Sequence, residues 1–228
     1  MQIDCAIVFA AGFGTRMKPL TNKMPKPLIK VAGKPLIDHA LALLDGISTI
    51  VVNTHYCADQ LETHLDGRSV ICIREEPEIL DTGGGLKNAM PILGHGPVIT
   101  LNSDVIFSGQ NPVVALQKVW DPARMDALLT LVSMENTVGY SGVGDFFLNN
   151  GRIERRGVRD MAPFVYGSAQ IIKTEFLRDV QQTAFSLNLI WDQIIAEGRA
   201  FGLPHSGRWI DVGRPEGIMV AERVLADV

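Results

Sequence analysis

Arg16 and Lys26 lie in one stretch, Ile7 to Leu28 (IVFAAGFGTRMKPLTNKMPKPL), where an apolar run meets a glycine-bearing loop. Gly12 and Gly14 have no Cβ, so the backbone there can take unusual dihedrals and come close to a bulky anion. Arg16 can fork onto phosphate oxygens, and Lys26, set between Pro25 and Pro27, is presented as a compact point charge. Two aspartates add a second kind of chemistry. Asp104 follows the apolar run 98–101, and Asp211 interrupts another apolar run, where an unpaired carboxylate is expensive to bury. Asp104 alone also reads as a turn or cap residue. Together, and with a phosphate-binding loop, two carboxylates from separate strands suit a Mg²⁺ ion held by one or two carboxylates and by substrate phosphates.

Such residues have to be delivered by a scaffold, and the chain reads as alternating strand and helix. Strands are expected over residues 6–9, 49–53, 70–74, 98–101 and 127–132, and helices over 36–44, 58–65, 85–90 and 112–119, with Pro35 suited to a helix start. That wiring implies a Rossmann-like three-layer α/β/α sandwich on a mostly parallel mixed sheet, with ligands bound beyond the carboxyl ends of the strands, where the Gly12 loop emerges. The second half reads differently. Residues 145–148 and 152–154 flank Asn149-Asn150-Gly151, a hairpin signal. A strand over 165–172, helices over 175–180 and 188–197 with a stop at Gly198, a strand over 209–212 and a helix over 215–226 follow. The two common nucleotide fingerprints are absent: no Gly-Lys-Ser/Thr follows the glycines, and Gly12-x-Gly14 has no third glycine in register.

At 228 residues the chain can bury one sizeable core, and it is expected to form a single domain over residues 1–228. A net charge of −4 argues against a general nucleic-acid binder. Hydrophobic residues make up 46% but lie in short blocks, none long enough to cross a bilayer. The segment 1–4 lacks the basic lead of a signal peptide, so a cytoplasmic protein is expected, with no nucleic-acid or membrane partner. Cys5, Cys57 and Cys72 are dispersed and read as small buried hydrophobes, and the five histidines form no zinc pattern.

The composite Phe9-Ala10-Ala11-Gly12-Phe13-Gly14-Thr15-Arg16-Met17-Lys18-Pro19-Leu20-Thr21, then Pro25-Lys26-Pro27-Leu28, resembles the signature of the sugar-1-phosphate nucleotidyltransferases. Trp209-Ile210-Asp211-Val212-Gly213 fits as well, so the likeness spans nearly the whole chain. Within that family the run Thr82-Gly83-Gly84-Gly85 and the compact length are most similar to the short bacterial N-acetylmuramate-1-phosphate uridylyltransferases of cell-wall recycling. The chain ends too early for the C-terminal β-helix that many relatives carry.

The resemblance implies attack by a sugar 1-phosphate on the α-phosphorus of a nucleoside triphosphate, UTP with N-acetylmuramate 1-phosphate foremost. GTP with mannose 1-phosphate, a cytidylyltransferase acting on phosphocholine, and a non-catalytic nucleotide-sugar sensor are the alternatives. It implies that Asp104 and Asp211 hold Mg²⁺, that Arg16 serves the leaving pyrophosphate, and that Lys26 serves the α-phosphate and the attacking phosphate. Ala10, Ala11, Gly12, Gly14 and Thr15, with Glu76, Thr82 and Gly83, are expected around the nucleotide. The Asp81–Gly85 segment reads equally as a flexible turn before a helix. No Glu-Lys-Pro motif supplies the sugar-phosphate cation; Arg155 or Arg156 stands in that region, a solvated basic hairpin being the other reading. Tyr166 and Gly167 are expected on the sugar side, while Asn53, Trp191 and Asp192 are read as structural.

Overall fold

The first apolar run forms the strand Cys5–Phe9, whose side chains alternate between two cores. Ala6 and Val8 pack with Ile37, Val52 and Leu116, whereas Ile7 meets Val51, Leu86 and Ala89. A strand covered on both faces needs no polar alternation, which is why the run reads as continuously apolar. The structure is a computed structural model that describes residues 2–226; residues 1, 227 and 228, the ends of the expected single domain, lie outside the described residues.

The central sheet has nine strands among the described residues. Pro97–Asn102, Cys5–Phe9, Thr49–Thr54 and Ile71–Arg74 lie side by side and parallel. Phe164–Lys173 joins antiparallel to Pro97–Asn102 and carries the sheet on to Ala127–Ser133, Ala200–Pro204 and the hairpin Phe146–Asn149/Arg152–Arg155. Helices Leu36–Ala42, Ala58–Leu65 and Pro112–Val119 cover one face, and Asp81–Leu93 and Asn188–Ala196 the other. The architecture is therefore a three-layer α/β/α sandwich on a mixed sheet. A small second sheet sets Trp209–Asp211 antiparallel to Val105–Phe107 and parallel to Thr137–Val138, with Asp211 opposite Val105.

Most expected elements form where the sequence puts them, and the hairpin turns through Asn150 (φ 50°) and Gly151 (φ 80°) as its Asn-Gly pair requires. Some differ. The helix expected over 175–180 is only a short 3₁₀ turn, Glu175–Leu177. The helix expected over 85–90 runs from Asp81 to Leu93, and the first helix ends at Ala42. The strand Ala200–Pro204 was not expected; Gly202 and Pro204 weaken its strand pattern. The three cysteines are free and half-buried rather than fully enclosed.

Candidate active site

The carboxyl ends of Cys5–Phe9 and Pro97–Asn102 are adjacent, so the Gly12 loop and Asp104 emerge together at one edge of the sheet. Between them lies a cavity of about 330 Å³. Ala10, Ala11, Gly12, Gly14 and Thr15 line it from the loop. Arg16, Lys26, Thr82 and Asp104 complete the wall that the sequence predicts. Gly14 adopts φ 61°, and a Cβ there would stand 2.9 Å from both Lys26 Cβ and Thr21 Cγ2. The loop can therefore close onto Lys26 only with glycine at this position. Gly12 is different: nothing lies within 4 Å of where its Cβ would be. Its missing side chain leaves room instead.

Lys26 is nearly buried and donates to Asp104 Oδ2 at 2.6 Å. Asp104 is set by its neighbour Ser103, whose hydroxyl and amide both donate to Phe9 O. Asp211 reaches the same place by a different route. The small sheet sets it opposite Val105, the Val212 amide donates to Asp104 O, and Gly213 lines the cavity. Burial raises the Asp211 carboxyl above its ordinary range, the charge of Asp104 adds to this, and Lys26, Arg16 and Arg214 oppose it. Two carboxylates that feel each other beside two cations fit Mg²⁺. Among the described residues no group of three or more His, Cys, Asp or Glu is clustered for a metal, so an ion held by Asp104 and Asp211 would need further oxygen donors from outside the protein.

A second cavity, about 310 Å³, adjoins the first; Phe9, Asp81, Thr82 and Asn102 border both. Tyr166 and Arg155 line it. Tyr166 packs edge-on against Trp191 at 4.7 Å, and burial pushes its phenol upward, so it stays a hydrogen-bond donor over the working pH range. Here the β-ladder between Phe164–Lys173 and Ala127–Ser133 slips between Tyr166 and Gln170, with Ser168 at φ 65°.

Five predicted residues line neither cavity: Asp211, whose carboxylate lies beside the cavity-lining Gly213, and Glu76, Gly83, Arg156 and Gly167. Glu76 is exposed and lines neither. Gly83 is buried and its amide already donates to Phe185 O at 2.8 Å, so it cannot read a base. Arg156 is spent on Gly144 O and Arg159 O. Gly167 faces Thr130 and Val132, where a Cβ would stand 3.0 Å from each, so it serves packing. The Thr82-Gly83-Gly84-Gly85 run is not a flexible turn either, but the first turn of the helix Asp81–Leu93. Its glycines let the backbone of Thr183 and Phe185 come close: Cβ atoms at 83 and 84 would stand 2.4 Å from the Phe185 ring and 2.3 Å from Thr183 O.

Residues read as structural turn out to border the site. Asn53 lines the first cavity, where its Oδ1 accepts from the Ala10 amide at 2.7 Å and its Nδ2 donates to Glu75 Oε1 at 2.7 Å. Glu75, almost wholly buried, also accepts from the Leu80 amide at 2.8 Å. This chain of hydrogen bonds braces the Gly12 loop against the segment leading to Asp81, and the carboxylate in it is Glu75 and not its neighbour Glu76. Trp191 lines the second cavity and donates to Gln170, which in turn donates to Thr100. Asp145, also on that wall, accepts from the Tyr166 amide. A polar residue ending a buried apolar strand, as Asn53 nearly does, was the available signal; the others carried none.

Among known proteins, the chain is 41% identical over 97% of its length, and 97% of the other's, to the N-acetylmuramate alpha-1-phosphate uridylyltransferase of Caulobacter vibrioides. Similarity to a mannose-1-phosphate guanyltransferase beta-B of Xenopus laevis is lower, 25% over 94% of this chain and 62% of that one. In fold it resembles the crystal structure of a putative glucose-1-phosphate thymidylyltransferase from Bacillus anthracis, with a TM-score of 0.80 at 19% identity over 98% of this chain and 96% of that one. The nucleotidyl transferase family pattern matches residues 5–227. With phosphate loop, buried lysine and paired aspartates gathered at one sheet edge, the chain belongs to the nucleotidyl transferase family.

Proposed function

We propose that this enzyme condenses UTP with N-acetylmuramate 1-phosphate to give UDP-N-acetylmuramate and pyrophosphate, with Mg²⁺, in the cytoplasm as a step of cell-wall recycling. The observation that carries this reading is the convergence of Arg16, Lys26, Asp104 and Asp211 at one end of a cleft whose other end is a separate cavity. The base and the sugar follow from the relative that is 41% identical, whose substrates its name gives.

In this reaction an oxygen of the sugar phosphate attacks the α-phosphorus while the bond to the β-phosphate oxygen breaks. The attacking oxygen is already anionic, so no general base is needed; the barrier is the mutual repulsion of the two reactants. Lys26, held beside Asp104 and shielded from water, lies where it can bridge the α-phosphate and the incoming phosphate. Arg16, on the exposed lip, is suited to the departing pyrophosphate. The Gly12 backbone admits the triphosphate at close range. Asp104 and Asp211 would hold Mg²⁺, which when bound supplies further charge neutralisation on the phosphate oxygens. Fixed cations that need not reorganise as charge develops contribute about 10²–10³-fold each in rate.

The deciding measurement is pyrophosphate release across UTP, GTP, CTP, ATP and dTTP, each with a set of sugar 1-phosphates. UTP with N-acetylmuramate 1-phosphate is expected to give the highest kcat/KM. A preference for GTP with mannose 1-phosphate would transfer the chain to the guanylyltransferases, and nucleotide binding without any turnover would make it a sensor.

A further inference from the structure

The second cavity carries a charge that the transfer reaction does not require. Arg155 is the one cationic side chain lining it, alongside Asp81 and Asp145. It does not touch the first cavity, and Arg16, Lys26 and Asp104 do not touch the second. A sugar 1-phosphate whose phosphorus lies against Lys26 must cross the shared border at Phe9 and Asn102 to place its ring in the second cavity. Arg155 is therefore displaced from the phosphate and set among the ring's substituents.

The guanidinium is held in place from several sides. Its Nε donates to Asp192 Oδ1 at 2.9 Å, and one Nη donates to Asn188 O at 3.3 Å and lies 2.8 Å from Asp192 Oδ1 as an ion pair. Its central carbon sits 5.4 Å from the Trp191 ring centroid and 5.3 Å from that of Phe146, within range of a cation–π contact on both. Three anchors fix the plane, and the other Nη has no protein partner among the described residues. Asp192 stands largely in solvent, so it orients the guanidinium without neutralising it fully. An oriented arginine with one free Nη fits a ligand bearing a carboxylate, and the acidic groups on the same wall, Asp81 and Asp145, are each engaged by a backbone amide, of Thr82 and of Tyr166.

Muramate differs from glucosamine by such a group: a lactyl ether that ends in a carboxylate. We propose that Arg155 reads the lactyl carboxylate of the sugar substrate, with Asp192 as its positioning partner, and so separates N-acetylmuramate 1-phosphate from N-acetylglucosamine 1-phosphate. This rests on the proposed function. It moves Arg155 from the sugar phosphate, where the sequence suggests it, to the sugar's own acid.

The test compares kcat/KM for the two sugar 1-phosphates with UTP, in the wild type and in Arg155→Met. The muramate-to-glucosamine ratio should fall by about 10- to 100-fold in the variant, the loss of one charge-assisted hydrogen bond. Arg155→Lys, which keeps the charge but not the fork, should restore part of the ratio. A fall shared equally by both substrates, or an unchanged ratio, overturns the proposal. Because Arg155 packs on Trp191, a parallel arm needs no variant: the wild type is given N-acetylmuramate 1-phosphate methylated at the lactyl carboxyl. A similar 10- to 100-fold preference for the free acid is expected, and equal use of acid and ester overturns the assignment. Wild-type enzyme that turns over other sugar 1-phosphates but not the muramate form would instead refute the proposed function itself.

Discussion

Lys26 and Asp104 show how much of a site single residues can announce. A lysine between two prolines after a glycine loop, and an aspartate ending an apolar strand, are each unusual enough in their surroundings to be noticed, and they meet at 2.6 Å. Asn53 and Glu75 gave no comparable signal, because a residue that braces rather than touches a ligand is recognisable only by its partners, which lie in other elements. Asn53→Ala leaves the Ala10 amide and one Glu75 oxygen unpaired in a buried setting. The expected cost is about 2–4 kcal/mol. For a chain of this size that lowers Tm by about 5–10 °C. The KM for the nucleotide should rise as well, since Ala10 and Ala11 line the cavity proposed for it. A thermal melt within 1 °C of wild type would show that the brace is dispensable.

At the level of elements, the strands and helices of the first half were legible because buried parallel strands are continuous apolar runs and their helices are bounded by prolines or polar breaks. The helix Asp81–Leu93 was legible only in its second half. Three successive glycines have poor helix propensity, so its first turn reads as a loop; the approach of Thr183 and Phe185 overrides that preference. Ala200–Pro204 was hidden for a related reason, since a Cβ on Gly202 would stand 2.4 Å from Leu131 Cδ1. Two glycine substitutions separate packing from ligand access. Gly84→Ala should lower Tm, because the overpacking against Thr183 O, about 1–3 kcal/mol, exceeds the gain in helix propensity. Gly12→Ala meets no protein atom, so Tm should hold while kcat/KM for the nucleotide drops at least tenfold. Melting curves and steady-state kinetics on both variants read this out; the reverse pattern would mean that Gly12 is needed by the fold and Gly84 by the ligand.

Across the whole molecule the two halves are joined by a sheet whose reactive edge and structural edge are opposite. The site lies beyond Phe9 and Asn102; at the other end Asp126, just before the strand Ala127–Ser133, accepts from Lys173 at 2.6 Å and from Arg199 at 2.5 and 2.9 Å. These three residues come from three strand ends far apart in sequence, so no spacing pattern reveals them. Burial alone would raise the Asp126 carboxyl, but Arg199 and Lys173 outweigh it and hold the carboxyl below its ordinary value. A depressed folded-state value means that the cluster stabilises the protein fully above the unfolded carboxylate pKa of about 3.9, and loses that contribution as pH falls through the lower folded value. Asp126→Asn should therefore cost about 2–4 kcal/mol at pH 7 by leaving buried donors poorly matched. That gap between variant and wild type should narrow as pH drops below about 4, where the unfolded-state aspartate takes up a proton while the native one is still held ionised, so the wild type loses its advantage. Urea unfolding of both proteins at pH 7 and pH 3 measures the two gaps; a gap that stays constant or widens in acid would show that Asp126 acts through packing, and that its charge does not join the halves.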